Sequence, residues 1–308
     1  MRYPKACACV ICGSHELTQA RAPNHLGHLL RCQTCGHTMV SPESSIYVEN
    51  RRNQIESFGD AFTTGAPPLA DFYQRINAVR TEDILALNGS QRILEVGPGL
   101  GAVMAHMKAA GHNVLGLDLS EFVRDAIYRK YGLQVLIEEL SEYSRRSAEQ
   151  WDAAIMRHVL EHFENPVAAL QCVAHLLRAG GKLYVAVPNM NSWHRRWHGW
   201  SGYQTYHLHY FEADSLARAL QRASFDVERI GSYESLTGWA NTLSRSLGRR
   251  RRTFDEDLDA HSHSAPSWAR VALDTCRLGV GVGSTPLRLL QGALGKGEEL
   301  YALAVKAA

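Results

Sequence analysis

The sequence predicts an α/β fold in which a doubly wound, mostly parallel sheet follows a small cysteine-rich unit. Strands and helices alternate through the middle of the chain, a glycine-rich turn follows the first of these strands, and cysteines cluster near the start. Alternation of this kind is typical of a parallel sheet with helices on both faces. The predicted strands cover residues 92–96, 113–117, 134–138, 151–159, 182–187, 225–233 and 298–306.

Helical periodicity and local start and stop signals place the helices between these strands. One helix begins near Leu69, and another follows the glycine turn and ends at Gly111. Asn165 is a typical capping residue, and the proline after it suits the first helical turn. The remaining predicted helices cover about 121–131 and 213–223.

Composition is that of a packed protein without a strong electrostatic preference. The chain has 308 residues, 45% of them hydrophobic and 21% charged, with a net charge of +2. So small a charge gives no overall attraction to nucleic acid or to an acidic membrane. The first ten residues lack the apolar core of a signal peptide, and we expect a cytoplasmic protein.

Seven cysteines are present, and five of them lie in the first 35 residues. Two C-x-x-C pairs, each followed by a glycine, have the spacing of a zinc ribbon, in which four thiolates form a tetrahedron. The predicted ligands are Cys9, Cys12, Cys32 and Cys35. Cys7 is an alternative to Cys9, and His15 and His37 are weaker substitutes. Four thiolates leave no open position on the metal, so we expect structural zinc in residues 1–40.

A glycine-rich turn after the first strand of the sheet carries the clearest functional signal. Glu95, Gly97, Gly99 and Gly101 are spaced E-x-G-x-G-x-G, and Asp118 ends the next strand. Glycine lets the backbone approach a nucleotide-like ligand, and an acid at the second strand's end can bind ribose hydroxyls. The pattern indicates a site for an adenosine-bearing cofactor.

These motifs resemble the class I S-adenosylmethionine-dependent methyltransferases, in the small-molecule branch that includes types 11 and 23. The resemblance covers about 93–233 and the last strand, and its other motifs are H-V-L-E-H at 158–162, L-L-R-A-G-G-K-L at 176–183 and H-L-H-Y-F at 207–211. It implies a Rossmann-like sheet with an antiparallel last strand. An N-terminal zinc ribbon is similar to that of the sugar C-methyltransferases, but their large C-terminal domain has no counterpart here.

The resemblance also implies how the cofactor is held. The three glycines should line its methionine and ribose portions, Glu95 should reach the amino group, and Asp118 should bind the ribose hydroxyls. Leu119 should pack on the adenine, with Glu138 or Glu139 at the adenine edge and His158 beside the sulfonium. The alternative is a nicotinamide cofactor, since G-x-G-x-x-A also fits that fingerprint. The acid before the turn and the order of the later motifs favour S-adenosylmethionine.

Histidine is the expected base if the acceptor carries a hydroxyl or an acidic carbon. His209 is the preferred candidate, with Tyr210 as the residue that orients the acceptor. His158, His162 and His207 are the other candidates. Each histidine also has a plain structural interpretation, as a cap or a loop contact, because one histidine does not make a mechanism.

About 64 residues, 234–297, separate the last two predicted strands, whereas methyltransferases of this class usually have a short hairpin there. Amphipathic helices in this segment would form a lid over the acceptor or a homodimer contact. In the alternative interpretation, these helices would lie on the inner face of the membrane, and the acceptor would be a glycan or a lipid-linked precursor. The predicted organisation is a ribbon at 1–40, a linker at 41–68 and a methyltransferase domain at 69–308.

The predicted function is methyl transfer to a small molecule or to a glycan or lipid-linked precursor. The alternative is an RNA-binding methyltransferase that grips nucleic acid with the ribbon and with Arg249–Arg252. Basic and aromatic residues do not alternate along any one element, which disfavours the RNA interpretation.

Overall fold

A computed structural model describes residues 7–20, 28–42, 70–204, 206–247 and 267–307. Seven strands form the main sheet: β4 Arg92–Val96, β5 Asn113–Asp118, β6 Val135–Ile137, β7 Trp151–Arg157, β8 Leu177–Pro188, β10 Phe225–Tyr233 and β11 Glu299–Lys306. Their order across the sheet is β10-β11-β8-β7-β4-β5-β6. Strands β4 to β8 pair in parallel, and β11 runs antiparallel to both of its neighbours. The expected Rossmann-like sheet with an antiparallel last strand is confirmed.

Nine α-helices are found among the described residues, and six of them connect or precede the strands of the sheet. These six are α1 Ala70–Leu85, α2 Ala102–Ala109, α3 Glu121–Tyr131, α4 Leu140–Arg146, α5 Pro166–Leu176 and α6 Ala213–Arg222. Their starts follow local chemistry: the Ser120 hydroxyl accepts the Val123 N–H at 3.4 Å, and the Asn165 side chain accepts the Ala168 N–H at 3.0 Å. Sequence analysis did not foresee α4.

Hydrophobic residues cover both faces of the sheet, as its helices require. On one face, Ile93, Ile155 and Tyr184 pack with α1, α2 and α3. On the other face, Leu94 and Val185 join a larger cluster that includes α5 and α6. The strands between them are buried on both sides, which explains why they read as nearly continuous apolar runs.

The N-terminal unit packs against the domain that contains the main sheet and is not separate from it. Its strands β1 Leu17–Ala20, β2 Leu29–Cys32 and β3 Thr38–Val40 form an antiparallel sheet that β9, His209–Tyr210, extends. Arg31 donates two hydrogen bonds to the Glu212 carboxylate, at 2.6 and 3.3 Å. Ile11, Leu30 and Met39 belong to the same hydrophobic cluster as α5 and α6. We call residues 7–42 the ribbon below.

Two strand ends differ from the sequence-based expectation by more than one residue. Strand β7 stops at Arg157, because His158 has a left-handed φ of 53° and a short 3₁₀ turn, Leu160–His162, follows it. Strand β8 begins at Leu177, earlier than predicted, since that residue pairs with Trp151 before the register shifts.

The segment before β11 contains three helices, α7 Gly238–Leu247, α8 Ser267–Gly283 and α9 Thr285–Ala293. Arg249–Arg252 and nearly all of the predicted linker at 41–68 lie outside the described residues. Over the described ranges, no helix combines the length and the apolar character that crossing a bilayer requires.

Candidate functional site

A cavity of about 910 Å³ opens beyond the carboxyl ends of strands β4, β5 and β7. This edge is where open α/β sheets bind ligands. The glycine turn and the end of β5 line one part of the cavity. His162 of the 3₁₀ turn, Gln204 and residues 206–208 line another. Helix α1 and residues 235–237, which follow β10, complete the wall. The volume is within the range of small-molecule sites.

The glycine turn is shaped by two close approaches. Gly97 has a φ of 66°, and a Cβ there would lie 2.1 Å from Cγ2 of Val159. Gly99 also lines the cavity, and a Cβ there would meet nothing within 4 Å, so its open side faces the space a ligand would fill. Gly101 is not part of the lining; it packs against Ile127, which a Cβ would approach to 2.8 Å.

Glu95 presents an acidic group at the buried end of the cavity. Its side chain is 3% exposed, and its Oε2 has no hydrogen-bond partner among the described residues. Burial raises the pKa of Glu95 to about 8, although the charge of Arg157 opposes the shift. A buried acceptor without a donor fits a cofactor that brings an ammonium group, as S-adenosylmethionine does.

Asp118 and its neighbours lie where a ribose and an adenine are expected. Burial raises the pKa of Asp118, while backbone N–H groups of Ser120 and Leu119 oppose the shift. Leu119 is 46% exposed and lines the cavity. Glu138 and Glu139 line it too, and Arg146 pairs with Glu138 and lowers its pKa.

His158 begins the histidine-rich side of the cavity and is held as a cation. Its Nε2 lies 2.9 Å from Oε2 of Glu299, and its Nδ1 lies 3.6 Å from Oε1 of Glu161. Burial disfavours the charge, but the two carboxylates outweigh it and raise the pKa of His158 to about 9. A ring that is protonated at neutral pH is a poor base there.

His162 and His207 line the cavity beside His158, above the buried Glu161. The two rings meet edge to face, with centroids 5.0 Å apart. Burial lowers the pKa of His207 to about 4, so the ring is neutral. The Leu208 N–H donates to the Glu161 carbonyl oxygen at 2.9 Å, which joins the loop that carries His207 to the turn that carries His162.

His209 and Tyr210 lie in β9, outside the cavity lining. His209 is 2% exposed, and its Nδ1 lies 3.1 Å from Nε2 of His37 in the ribbon. Burial lowers the pKa of His209 to about 4 and raises that of Tyr210. This placement does not support His209 as the base or Tyr210 as its helper, because neither side chain reaches the cavity.

Sequence analysis missed an ionic cluster under the histidines. Glu299, the first residue of β11, pairs with Arg80 of α1 and with Arg157, whose Nη2 lies 3.0 Å away. The two arginines lower the pKa of Glu299 well below its usual range despite burial. These residues are far apart in sequence, so no local spacing could have indicated the cluster.

The four predicted zinc ligands are brought together in the ribbon. Sγ of Cys9 lies 3.6 Å from Sγ of Cys35, and Sγ of Cys12 lies 3.5 Å from Sγ of Cys32. Sulfurs bound to zinc at about 2.3 Å in a tetrahedron would be about 3.8 Å apart. The geometry and the thiol-only donor set therefore fit zinc.

Comparisons with known proteins agree with this site. Residues 68–230, more than half of the chain, match the family described as Methyltransferase domain. The ubiquinone biosynthesis O-methyltransferase of Dechloromonas aromatica (strain RCB) is 26% identical over 204 residues, covering 61% of this chain and 80% of that protein.

Two solved structures share the fold. The 1,6-didemethyltoxoflavin-N1-methyltransferase of Burkholderia thailandensis has a TM-score of 0.52 at 14% identity, covering 90% of this chain and 98% of that one. A SAM-dependent methyltransferase from Archaeoglobus fulgidus has a TM-score of 0.50 at 16% identity, covering 84% and 100%. With the matching family and the glycine turn at the cavity, the chain belongs to the Methyltransferase domain family and is a class I S-adenosylmethionine-dependent methyltransferase.

Proposed function

We propose that the protein methylates a hydroxyl oxygen of a small molecule. The observation that carries the proposal is that one cavity contains both the acidic cofactor residues and a wall of three histidines. The similarity to ubiquinone biosynthesis O-methyltransferases supports oxygen as the methylated atom. A cavity of about 910 Å³ has room for a cofactor and a compact acceptor.

The cofactor end of the cavity is assigned to the glycine turn and the carboxylates around it. S-adenosylmethionine supplies an activated methyl group. Glu95 would accept hydrogen bonds from its ammonium, and Asp118 from its ribose hydroxyls. Leu119 would cover the adenine, and Glu139 would lie near the adenine edge, since Arg146 already occupies the Glu138 carboxylate.

The acceptor end is assigned to the histidine wall, defined as His158, His162 and His207. These side chains would orient the hydroxyl toward the methyl carbon, and alignment of this kind supplies much of the rate enhancement. His158 is already protonated, so the acceptor's proton would pass to His207, the ring that burial keeps neutral. Glu161 lies behind the rings and would stabilise the positive charge that forms there.

The helices before β11 would act as a lid in this scheme. Ser235, Leu236 and Thr237 line the cavity immediately before α7. Since this segment contacts the cavity directly, the lid interpretation has more support than a purely peripheral role. Zinc in the ribbon would be structural, because its four thiolates complete the coordination.

The test is a methyl-transfer assay with radiolabelled S-adenosylmethionine and a panel of acceptors. The panel should contain catechols and hydroquinones, matched amines, and a sugar nucleotide. We expect label on the hydroxyl compounds and loss of transfer when the hydroxyl is already methylated. Transfer to the amines alone, or to a carbon atom of the sugar, would refute the proposal. A salt-dependent gel shift with RNA, followed by RNA labelling, would support the alternative function.

A further inference from the structure

The lining of the cavity is acidic. Carboxyl groups line it at seven positions, Glu95, Asp118, Glu138, Glu139, Glu164, Glu298 and Glu299. Among the described residues, Arg157 is the one arginine or lysine of the lining, and both it and the His158 cation pair with Glu299. A carboxylate or phosphate on the acceptor would therefore meet more repulsion than attraction, because unpaired like charges in a partly buried site are costly.

Most of these carboxyl groups already have a partner or a cofactor role. Two of the seven form ion pairs with arginines, and three are assigned to the cofactor. Glu164 is exposed, whereas Glu298 is half-buried and lines the cavity directly before β11. The Glu298 carboxylate accepts a hydrogen bond from the Ser235 hydroxyl, and within the described ranges it forms no ion pair. Its charge is therefore available to a ligand.

The position of Glu298 is fixed by contacts of its backbone. Its N–H donates to Oε2 of Glu234 at 3.0 Å, and its carbonyl oxygen accepts the Asn189 N–H at 2.8 Å. Gly238, the first residue of α7, leaves room for the side chain, since a Cβ there would lie 2.7 Å from Oε1 of Glu298. A carboxyl group held in this way loses little conformational entropy when a ligand binds to it.

The surroundings of Glu298 leave it short of positive charge. Burial and the nearby Glu234 raise the pKa of Glu298, and the charge of Arg245 opposes this shift without cancelling it. His194 does not compensate for the two carboxyl groups, because burial lowers the pKa of its ring, whose Nε2 lies 2.9 Å from Oε1 of Glu234. A ligand cation beside Glu298 would supply the missing charge and favour the ionised carboxylate.

Glu298 lies at the acceptor end of the cavity. The next residue, Glu299, pairs with His158 of the histidine wall, and Ser235 belongs to the segment assigned to the lid. Strand β11 is separated from β4 by β8 and β7, whereas the residues assigned to ribose and adenine follow β5, on the other side of β4. A group bound by Glu298 would therefore belong to the acceptor and not to the nucleoside.

We propose that Glu298 binds an ammonium group of the acceptor, so that the substrate is a hydroxyl compound that also carries a protonated amine. The carboxylate would accept a charge-assisted hydrogen bond from the ammonium, while the histidine wall orients the hydroxyl. A protonated amine has no lone pair, so methyl transfer would stay directed to the hydroxyl oxygen. This substrate class rests on the proposed function, whereas ammonium recognition itself can be measured without any transfer.

The experiment compares three catechols of similar size that differ in one substituent, which is an aminoethyl, a propyl or a carboxymethyl group. Their binding to the full-length protein loaded with S-adenosylhomocysteine is measured by calorimetry at neutral pH. We expect the aminoethyl compound to bind on the order of tenfold more tightly than the propyl compound, and the carboxymethyl compound to bind most weakly.

Two variants separate ammonium recognition from a structural effect. In Glu298→Gln the advantage of the aminoethyl compound should disappear, while the affinity for the propyl compound stays unchanged. A general disturbance of the cavity would weaken both compounds instead. Glu164→Gln is the matched control and should keep the full preference, since Glu164 also lines the cavity but is exposed.

Equal affinity for the aminoethyl and propyl compounds in the unmodified protein, or binding of none of the three, would overturn the proposal whether or not Glu298→Gln folds. A preference that persists in folded Glu298→Gln, or equal weakening of both compounds, would overturn the role of Glu298. Analysis of the methylated products then distinguishes the two proposals. Hydroxyl methylation of both compounds without a preference in binding would refute ammonium recognition and leave the function standing. The expected preference in binding without hydroxyl methylation would refute the function and leave ammonium recognition standing.

Discussion

Binding of S-adenosylmethionine should release a proton from Glu95. The pKa of this buried carboxyl is about 8, so at pH 7 about nine-tenths of the free protein carries a proton there. An ammonium beside the carboxylate lowers such a pKa by about 1–3 units, which corresponds to a release of about 0.4–0.9 protons per chain. Below pH 8, affinity should therefore rise with pH, by less than tenfold per unit.

Calorimetry in buffers of different ionisation enthalpy measures this release directly. The slope of observed enthalpy against buffer enthalpy gives the protons exchanged. In Glu95→Gln the release should disappear, and cofactor affinity at pH 7 should fall on the order of tenfold through loss of a charge-assisted hydrogen bond. Glu138→Gln is the control, because Arg146 keeps Glu138 ionised and it has no proton to release.

The same shift predicts how the stability of the cofactor-free protein varies with pH. The pKa of Glu95 is raised on folding, so the native state binds more protons than the unfolded chain between about pH 4.5 and 8. Its contribution to stability is present below that window and is lost as pH rises through it.

The proton-release measurement also has a clear negative outcome. A slope of zero for observed binding enthalpy against buffer enthalpy in the unmodified protein would refute the role of Glu95 as the ammonium acceptor. An unchanged slope in Glu95→Gln would refute it as well.

Three further predictions concern the cofactor turn and the ribbon. Asp118→Ala should weaken S-adenosylmethionine binding by at least tenfold in calorimetry, about 1.4 kcal/mol, and unchanged affinity would mean that the ribose lies elsewhere. Gly97→Ala should destabilise the fold by about 2–4 kcal/mol in urea unfolding, through overlap with Val159 and left-handed strain, whereas Gly99→Ala should cost only about 1–2 kcal/mol. Cys32→Ser should lose the ribbon zinc in a metal assay, together with order in the ribbon seen by proteolysis; retention of zinc would contradict the ligand assignment.

Local patterns sufficed for the parallel sheet. Strand β4 has the predicted bounds because its apolar run ends at the glycine turn. Strand β10 also has the predicted bounds, because a helix ends just before it and a polar segment follows it. The glycine turn and Asp118 could be found for the same reason. The glycines lie two residues apart, and Asp118 ends the next strand in the chain, so both belong to one strand–helix–strand unit.

Long-range pairing could not be predicted in the same way. His209 was the preferred base because it lies in a histidine-rich segment, but β9 pairs with β3, about 170 residues earlier, and draws His209 toward His37. Glu299 comes from the last strand, and its contact with His158 depends on strand order. The left-handed conformation of His158 likewise gives no signal in a strand-like sequence.

Pairing of β3 with β9 has a practical consequence for anyone who wishes to trim the protein. A chain shortened to begin at Ala70 would leave the edge of β9 open and would uncover the cluster that Ile11 and Leu30 now close. Such a truncated enzyme should aggregate rather than behave as a minimal catalytic domain. With the structural zinc proposed for the ribbon, zinc scarcity in the cell would then limit the supply of folded enzyme.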